Sequence, residues 1–341
     1  MDGPVVMAID GNSLVHRSFH AQAHTAMHTD QGRPTWAVRG LLGQLVAAVE
    51  RIRPAAVVVG FDDADCSSRR EEWPTYKANR VDKLDTLVEQ LASAVQVLRD
   101  LGVAVVVPPG LEADDVLAST ATFARAHDAS TVIVTSDRDA FALIDDTTRV
   151  LRIINGGVEA SPLMTAERLV MLLGVHPSQY RDFAALRGDP SDNLPGVHGI
   201  GPRSAAALLT EFGSAAAAFA DLDAVRTKVG RGVAARLGAE GAYERWQLNC
   251  AVMTMHADVA LDLSLTSGPG VLPLDAARVD DCFRAQSLTW SAPAAVRVLA
   301  EVDAAPPREP VFTSWGESAP PARRLPKLPP RKPAMAQLTL F

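Results

Sequence analysis

Carboxylates are the residues in this sequence whose types and spacing can do chemistry. Glu112, Asp114 and Asp115 fall within four positions of GLEADDVLAS, after a proline–glycine turn and where an apolar helix should begin. One acid there suits the positive end of a helix dipole, but three repel one another. Other acids close short β-branched runs: Asp10 after VVMAI, Asp62 in GFDD, Asp137 and Asp139 in TSDRD. A further pair, Asp189 and Asp192, lies in RGDPSDNLPGVHGIG. A helix cap or turn explains any one of them alone. The seven that follow the strands, crowded at one edge, would cost on the order of several kcal/mol unless cations or protons offset the repulsion. The donors are all oxygen, with no His or Cys beside them, which points to a hard divalent cation, Mg²⁺ or Mn²⁺.

The elements that must position these acids follow from the apolar pattern. Residues 5–10, 55–62, 103–108 and 131–137 predict buried, parallel strands, and RVLRIIN (149–155) predicts an edge. Helical patterns at 35–51, 83–101 and 113–127 alternate with them, which gives an α/β sheet with helices on both faces. Ligands of such sheets bind at the carboxyl ends of the strands, where these acids fall. From about 162 the pattern is helices split by Gly and Pro, and it predicts a second, all-helical part. Beyond 303 the last 39 residues hold nine of the 23 prolines and six Lys/Arg against three Asp/Glu, the composition of a mobile linker.

The 341 residues leave room for one large or two modest domains, and 48% hydrophobic content suits a globular protein. No stretch has the length of a membrane span, and the opening lacks a signal-peptide pattern. Cys66, Cys250 and Cys282 are odd in number and far apart, so free thiols in a reducing cytoplasm are expected. The net charge of -7 would argue against nucleic acid, an inference that weakens where many acids sit in one place and hold metal ions. His16, His20, His24 and His28 recur every fourth residue, yet no Cys or acid completes a zinc site, so packing or surface roles are expected.

Asp10-Gly11, Phe61-Asp62, EADD, TSDRD and GDPSDNLPGVHGIG occur in the order found in the 5′ nuclease family, which the chain resembles over about residues 4–265. That family comprises flap endonucleases and the 5′-3′ exonuclease domain of bacterial DNA polymerase I. The resemblance implies a PIN-like, mostly parallel sheet flanked by helices over 1–165, with a helical arch at about 67–95. A helical DNA-binding domain with a helix–hairpin–helix would span 166–302. The first metal cluster would be Asp10, Asp62, Glu112, Asp114 and Asp115; the second would be Asp137, Asp139, Asp189 and Asp192. Two or three Mg²⁺ or Mn²⁺ ions would sit there, and K⁺ on the carbonyls of the hairpin turn. Tyr76, Lys77 and Arg80 match the arch pattern, and Arg17 in SLVHRSFHA another basic position. Lys77, Arg80 and Arg17 would serve the scissile phosphate, while Tyr76, Gly196, Gly199, Gly201 and Arg203 would contact DNA. Ser136 and His198 depart from the commoner family residues, and VDKLDTLVEQ lacks arch prolines.

The implied activity is metal-dependent 5′ flap cleavage and 5′-3′ exonuclease action, leaving 5′-phosphate and 3′-hydroxyl ends during primer removal and repair. The implied protein is a cytoplasmic monomer that acts on branched or nicked duplex DNA. With no polymerase part in the sequence, a stand-alone nuclease is expected. Gln337, Leu338, Thr339, Leu340 and Phe341 resemble a sliding-clamp-binding peptide, here at the tip of the 303–336 tether. Two other readings are a PIN-type RNase, which lacks the helix–hairpin–helix, and a non-catalytic, clamp-tethered scaffold.

Overall fold

In the computed structural model, which describes residues 3–80 and 84–301, six strands form one sheet. They are β1 (Val5–Asp10), β2 (Ala56–Gly60), β3 (Ala104–Val106), β4 (Ser130–Thr135), β5 (Thr148–Arg152) and β6 (Leu163–Met164). The order is β3-β2-β1-β4-β5-β6, parallel except for β6. The run expected as an edge is therefore paired on both sides as β5. The true edge, β6, is two residues long and too short to leave a periodic signal.

Alternation along the strands sends side chains to opposite faces. Met7, Ile9, Val57, Val59, Val132 and Val134 join one core with α1 (Gly11–Gln22), α2 (Trp36–Ile52) and α4 (Asp85–Leu101), while α3 (Ser68–Glu72) lies between β2 and α4 in sequence. Ala8, Ile133 and Val150 face the other side, with Leu117 of α5 (Ala113–Ala126). Both faces are covered, which is why the strands read as unbroken apolar runs.

The helices after β6 serve both faces. Tyr180, Phe183, Leu208, Leu209 and Trp246 share the core of Ala8, Ile133 and Val150, so a continuous core crosses the expected 165/166 boundary. Helices Ala276–Ala285 and Ala292–Leu299 instead return to the α2 and α4 side, where Val279, Phe283, Ala295 and Leu299 are buried. Of the expected arch, residues from 85 on are α4, whose Leu87, Ala94 and Leu98 are buried in that core. Among the described residues of 67–80, Arg69, Tyr76, Lys77 and Arg80 reach the acids Asp115, Glu112 and Asp192. The expected linker at 303–336 and Gln337, Leu338, Leu340 and Phe341 lie outside the described residues. No helix among the described residues is long and apolar enough to cross a membrane.

One close approach fixes the segment that carries the last two acids. Gly188–Asp189 pairs antiparallel with Leu194–Pro195. A Cβ on Gly196 would lie 2.3 Å from the carbonyl carbon of Arg187, and one on Gly188 would lie 2.2 Å from the Gly196 amide nitrogen. Gly188 also has φ +81°, where a side chain is strained. Gly196→Ala is expected to lower the thermal midpoint by about 5 °C or more, because backbone must shift to admit the methyl. A midpoint within about 1 °C of wild type in a thermal melt would show the approach to be soft.

Candidate active site

The acids are placed by strand ends and by the turns that follow them. β1 lies between β2 and β4, where the connections reverse direction, so Asp10 at its end stands at the switch point of the sheet. Asp10 also caps α1: its Oδ1 accepts from the Ser13 amide at 2.8 Å, and Oδ2 accepts from Thr135 Oγ1 at 2.7 Å. Asp62, two residues past β2, accepts from Asn12 Nδ2 at 2.8 Å and from the Ala113 amide at 3.0 Å. Asn12 returns the contact through its Oδ1, which accepts from the Asp62 amide at 3.0 Å. Asp114 lies in the first turn of α5. Asp137 Oδ1 accepts from the Asp139 amide at 3.0 Å. Asp189 caps its own turn through Ser191.

Charge repulsion ties these groups into one rim. Burial pushes Asp10 up to about 7, with Asp62 and Asp137 adding repulsion against hydrogen bonds that pull the other way. Burial pushes Asp114 well above the carboxylate range, and Asp137 and Asp10 raise it further. Burial pushes Asp139 up to about 8, with Asp137, Asp192 and Asp189 repelling it. Asp192 is raised by burial although Lys77 and Arg80 counter it. Seven carboxyls thus feel one another across a single edge. Among the described residues no three acids, imidazoles or thiols close on one point as a ready cage. An open rim of hard oxygen donors suits Mg²⁺ or Mn²⁺, since Mg²⁺ keeps several of its waters and needs few carboxylates.

The segment 73–80 lies across this rim and is pinned to the 190–193 turn. Lys77 has φ +55°, its amide donates to the Asp192 carbonyl at 2.9 Å, and Nζ reaches Glu112 Oε1 at 3.0 Å. Burial would lower the Lys77 pKa, but Glu112 and Asp192 outweigh it and hold it above its ordinary value. Arg80 Nη2 donates to Asp192 Oδ1 at 2.6 Å. Arg17, half-buried on α1, donates to Asn155 Oδ1 at 2.9 Å, beside the end of β5.

Other expected residues lie elsewhere. Tyr76, expected against DNA, is buried with Leu194 and Val252, and its hydroxyl donates to Glu112 Oε2 at 2.9 Å. Desolvation and the Glu112 charge push its pKa far up, so it stays a neutral donor. Asp115, expected among the ligands, is 0% exposed and clasped by Arg69. Gly199 lies exposed in the hairpin turn, Gly201 is the half-buried N-cap of helix Pro202–Phe212, and Arg203 stands exposed in the first turn of that helix. Three carbonyls near that turn already accept from protein donors: Pro195 from Asn249, Val197 from the Ile200 amide and Gly199 from Arg236 Nη1 at 2.7 Å. The His16 and His20 rings stand 6.5 Å apart on α1, His28 packs edge-on against Trp36, and the three cysteines form no disulfide.

Sequence reasoning missed Asn12, Thr135 and Arg69. Asn12 follows Asp10-Gly11 directly, so its place at the strand-to-helix turn was open to view. Nothing in SRREE separates Arg69, which is buried, from Arg70, which is exposed.

Comparisons with known proteins bear on the family and the fold. Residues 5–172 match the family model "5'-3' exonuclease, N-terminal resolvase-like domain", and residues 175–272 match "5'-3' exonuclease, C-terminal SAM fold". DNA polymerase I of Mycobacterium tuberculosis (strain ATCC 25618 / H37Rv) is 40% identical over 236 residues, which are 69% of this chain and 26% of the relative. The thermostable DNA polymerase I of Thermus aquaticus is 38% identical over 228 residues, 66% of this chain and 26% of the relative. The chain thus spans about a quarter of the length of these relatives. Among solved structures, T5 5'-exonuclease with bound divalent metal ions (zinc) aligns with TM-score 0.59 and 18% identity, covering 87% of this chain and 100% of that one. The catalytic core of Rad2 in complex with DNA substrate aligns with TM-score 0.54 and 16% identity, covering 87% and 91%. At such identities these two structures bear on the fold: a mostly parallel sheet with flanking helices, then helices.

Proposed function

The chain belongs to the 5′-3′ exonuclease family, and on that premise we propose that it is a divalent-metal-dependent nuclease for 5′ ends and 5′ flaps on duplex DNA. One observation carries the reading: acids from β1, β2, α5, the turn after β4 and the 189–192 turn meet at one rim, where burial and mutual repulsion hold protons on several of them. Asp10, Asp62, Glu112 and Asp114 would hold one side of a group of two or three Mg²⁺ or Mn²⁺ ions, and Asp137, Asp139, Asp189 and Asp192 the other. When bound, such ions lower the pKa of a water and stabilise a leaving oxygen.

The chain's own groups do the rest. Lys77 and Arg80 present positive charge at the rim, where they can meet charge gathering on a scissile phosphate. Arg17 adds a third cation at the end of β5. The Gly196–Gly201 turn and the start of helix Pro202–Phe212, with Arg203, offer amides and a cation to duplex phosphates without reading bases. The products would be a 5′-phosphate and a 3′-hydroxyl, in keeping with primer removal and repair. A region about 1–165 would supply most of the metal-holding acids, and 166–302 would add Asp189 and Asp192 and grip the duplex. Gln337–Phe341 would dock a sliding clamp, which a clamp pull-down of the full chain against Phe341→Ala would check.

The test is a labelled 5′-flap duplex with Mg²⁺ or Mn²⁺. Cleavage at the junction, lost in EDTA and leaving a ligatable 3′-hydroxyl, is the expected result. Tight binding of the flap with no cleavage by folded protein in either ion would favour the scaffold reading. Preferential cutting of single-stranded RNA would favour the RNase.

A further inference from the structure

Asp115 has no acceptor to spare. Its Oδ1 accepts from Arg69 Nη2 at 2.6 Å and from the His256 amide at 2.8 Å. Its Oδ2 accepts from Arg69 Nη1 at 2.8 Å and from the Glu112 amide at 2.9 Å. An ionised carboxylate offers about four acceptor directions, and all are used. Asp10, Asp62, Asp114 and Asp139 differ. Asp10 and Asp62 accept one bond per oxygen, and no hydrogen bond among the described residues ends on the carboxyls of Asp114 or Asp139.

Arg69 is engaged as fully. Besides Asp115 it donates to the Thr254 carbonyl at 2.9 Å and touches Glu112 Oε2 at 3.4 Å, and only 6% of it is exposed. Three stretches remote in sequence therefore meet at one ion pair: α3, the first turn of α5, and the segment 254–256. Glu112 stands beside it and carries Tyr76 and Lys77 on its own oxygens.

We propose that Asp115 holds no metal ion and that Arg69 and Asp115 form a positioning clasp. The clasp fixes Glu112 and anchors the foot of segment 67–80, so that Lys77 arrives at the rim. This rests on the nuclease reading above. The bidentate geometry needs a guanidinium, so Arg69→Lys keeps the charge and loses the clasp. The two residues act as one unit, and their effects should not add.

The experiment is a Mn²⁺ titration of the full chain, followed by the electron paramagnetic resonance of the free ion, beside single-turnover flap cleavage. Asp115→Asn and Arg69→Lys should bind as many Mn²⁺ ions as wild type, with affinity lowered by no more than about 10- to 100-fold, the range of an outer partner. Asp10→Asn should lose an ion or bind it more weakly than that. Cleavage should fall by like factors of about 10 to 100 in Asp115→Asn and Arg69→Lys, and no further in the double variant. Loss of an ion in Asp115→Asn with the full number kept in Arg69→Lys would overturn the proposal, as would multiplicative losses in the double variant. Should Asp115→Asn not fold, the ion count and rate of Arg69→Lys carry the test: a full count with a slower rate supports the clasp, and a wild-type rate overturns it. The titration needs no turnover, so wild type that binds Mn²⁺ yet cuts nothing would sink the nuclease reading separately.

Discussion

Asp139→Asn is expected to cut flaps at least about 10³-fold more slowly than wild type and yet to melt higher in EDTA at pH 8.5. Both effects come from one carboxyl. Burial and the charges of Asp137, Asp192 and Asp189 raise its folded pKa from 3.8 to about 8. Below about pH 4 the folded and unfolded chains both hold the proton, and the group favours neither state. Between about 4 and 8 the unfolded chain ionises while the native site keeps its proton, so native stability falls as pH rises, and the loss is complete above about 8. Asparagine has no such penalty and relieves its neighbours as well. A gain of about 3 °C or more is expected at pH 8.5, shrinking toward zero at pH 4.5. Divalent ions should raise wild type in the same way. A variant that melts no higher than wild type at pH 8.5, or cuts within about ten-fold of it, would mean that Asp139 is an ordinary turn residue.

Lys77→Ala is expected to slow single-turnover cleavage by about 10² to 10³, with DNA affinity within about three-fold by anisotropy, as for removal of one charge that acts on the reacting phosphate. Its stability should also fall, since Glu112 loses a buried partner at 3.0 Å. Opposite charges hold the Lys77 pKa above its ordinary value against the pull of burial, so the ammonium persists through pH 9. The rate deficit should therefore be the same at pH 7 and pH 9. A deficit that fades toward pH 9 would show that Lys77 titrates in that range, and a pure loss of affinity would make it a binding residue.

The frame of the site was legible because its signals are local. A β-branched run followed by an acid marks a strand and its carboxyl end, and four such segments place Asp10, Asp62, the Glu112–Asp115 group and Asp137 at one edge of the sheet. Partners remote in sequence left no such mark. Asp115 has the spacing of a ligand, and only the fold reveals that Arg69 and His256 use up its oxygens. Tyr76 reads as a DNA contact beside two basic residues, whereas Leu194 and Val252, over a hundred residues away, decide that it is buried. The expected arch at 67–95 runs on into α4, because an amphipathic helix offers the same pattern whether it stands free or packs on a sheet. Helices 276–285 and 292–299 read as more of the helical part, and nothing in their sequence says which face of the sheet they return to.

The most direct measurement counts bound Mn²⁺ and follows flap cleavage in the same wild-type sample as the ion is titrated. Cleavage should stay near zero until a second ion binds and then rise with its occupancy, as expected for two cations sharing the attacking and leaving oxygens. Full cleavage with no bound ion, or none with the rim filled and DNA bound, would contradict a nuclease built on these carboxylates.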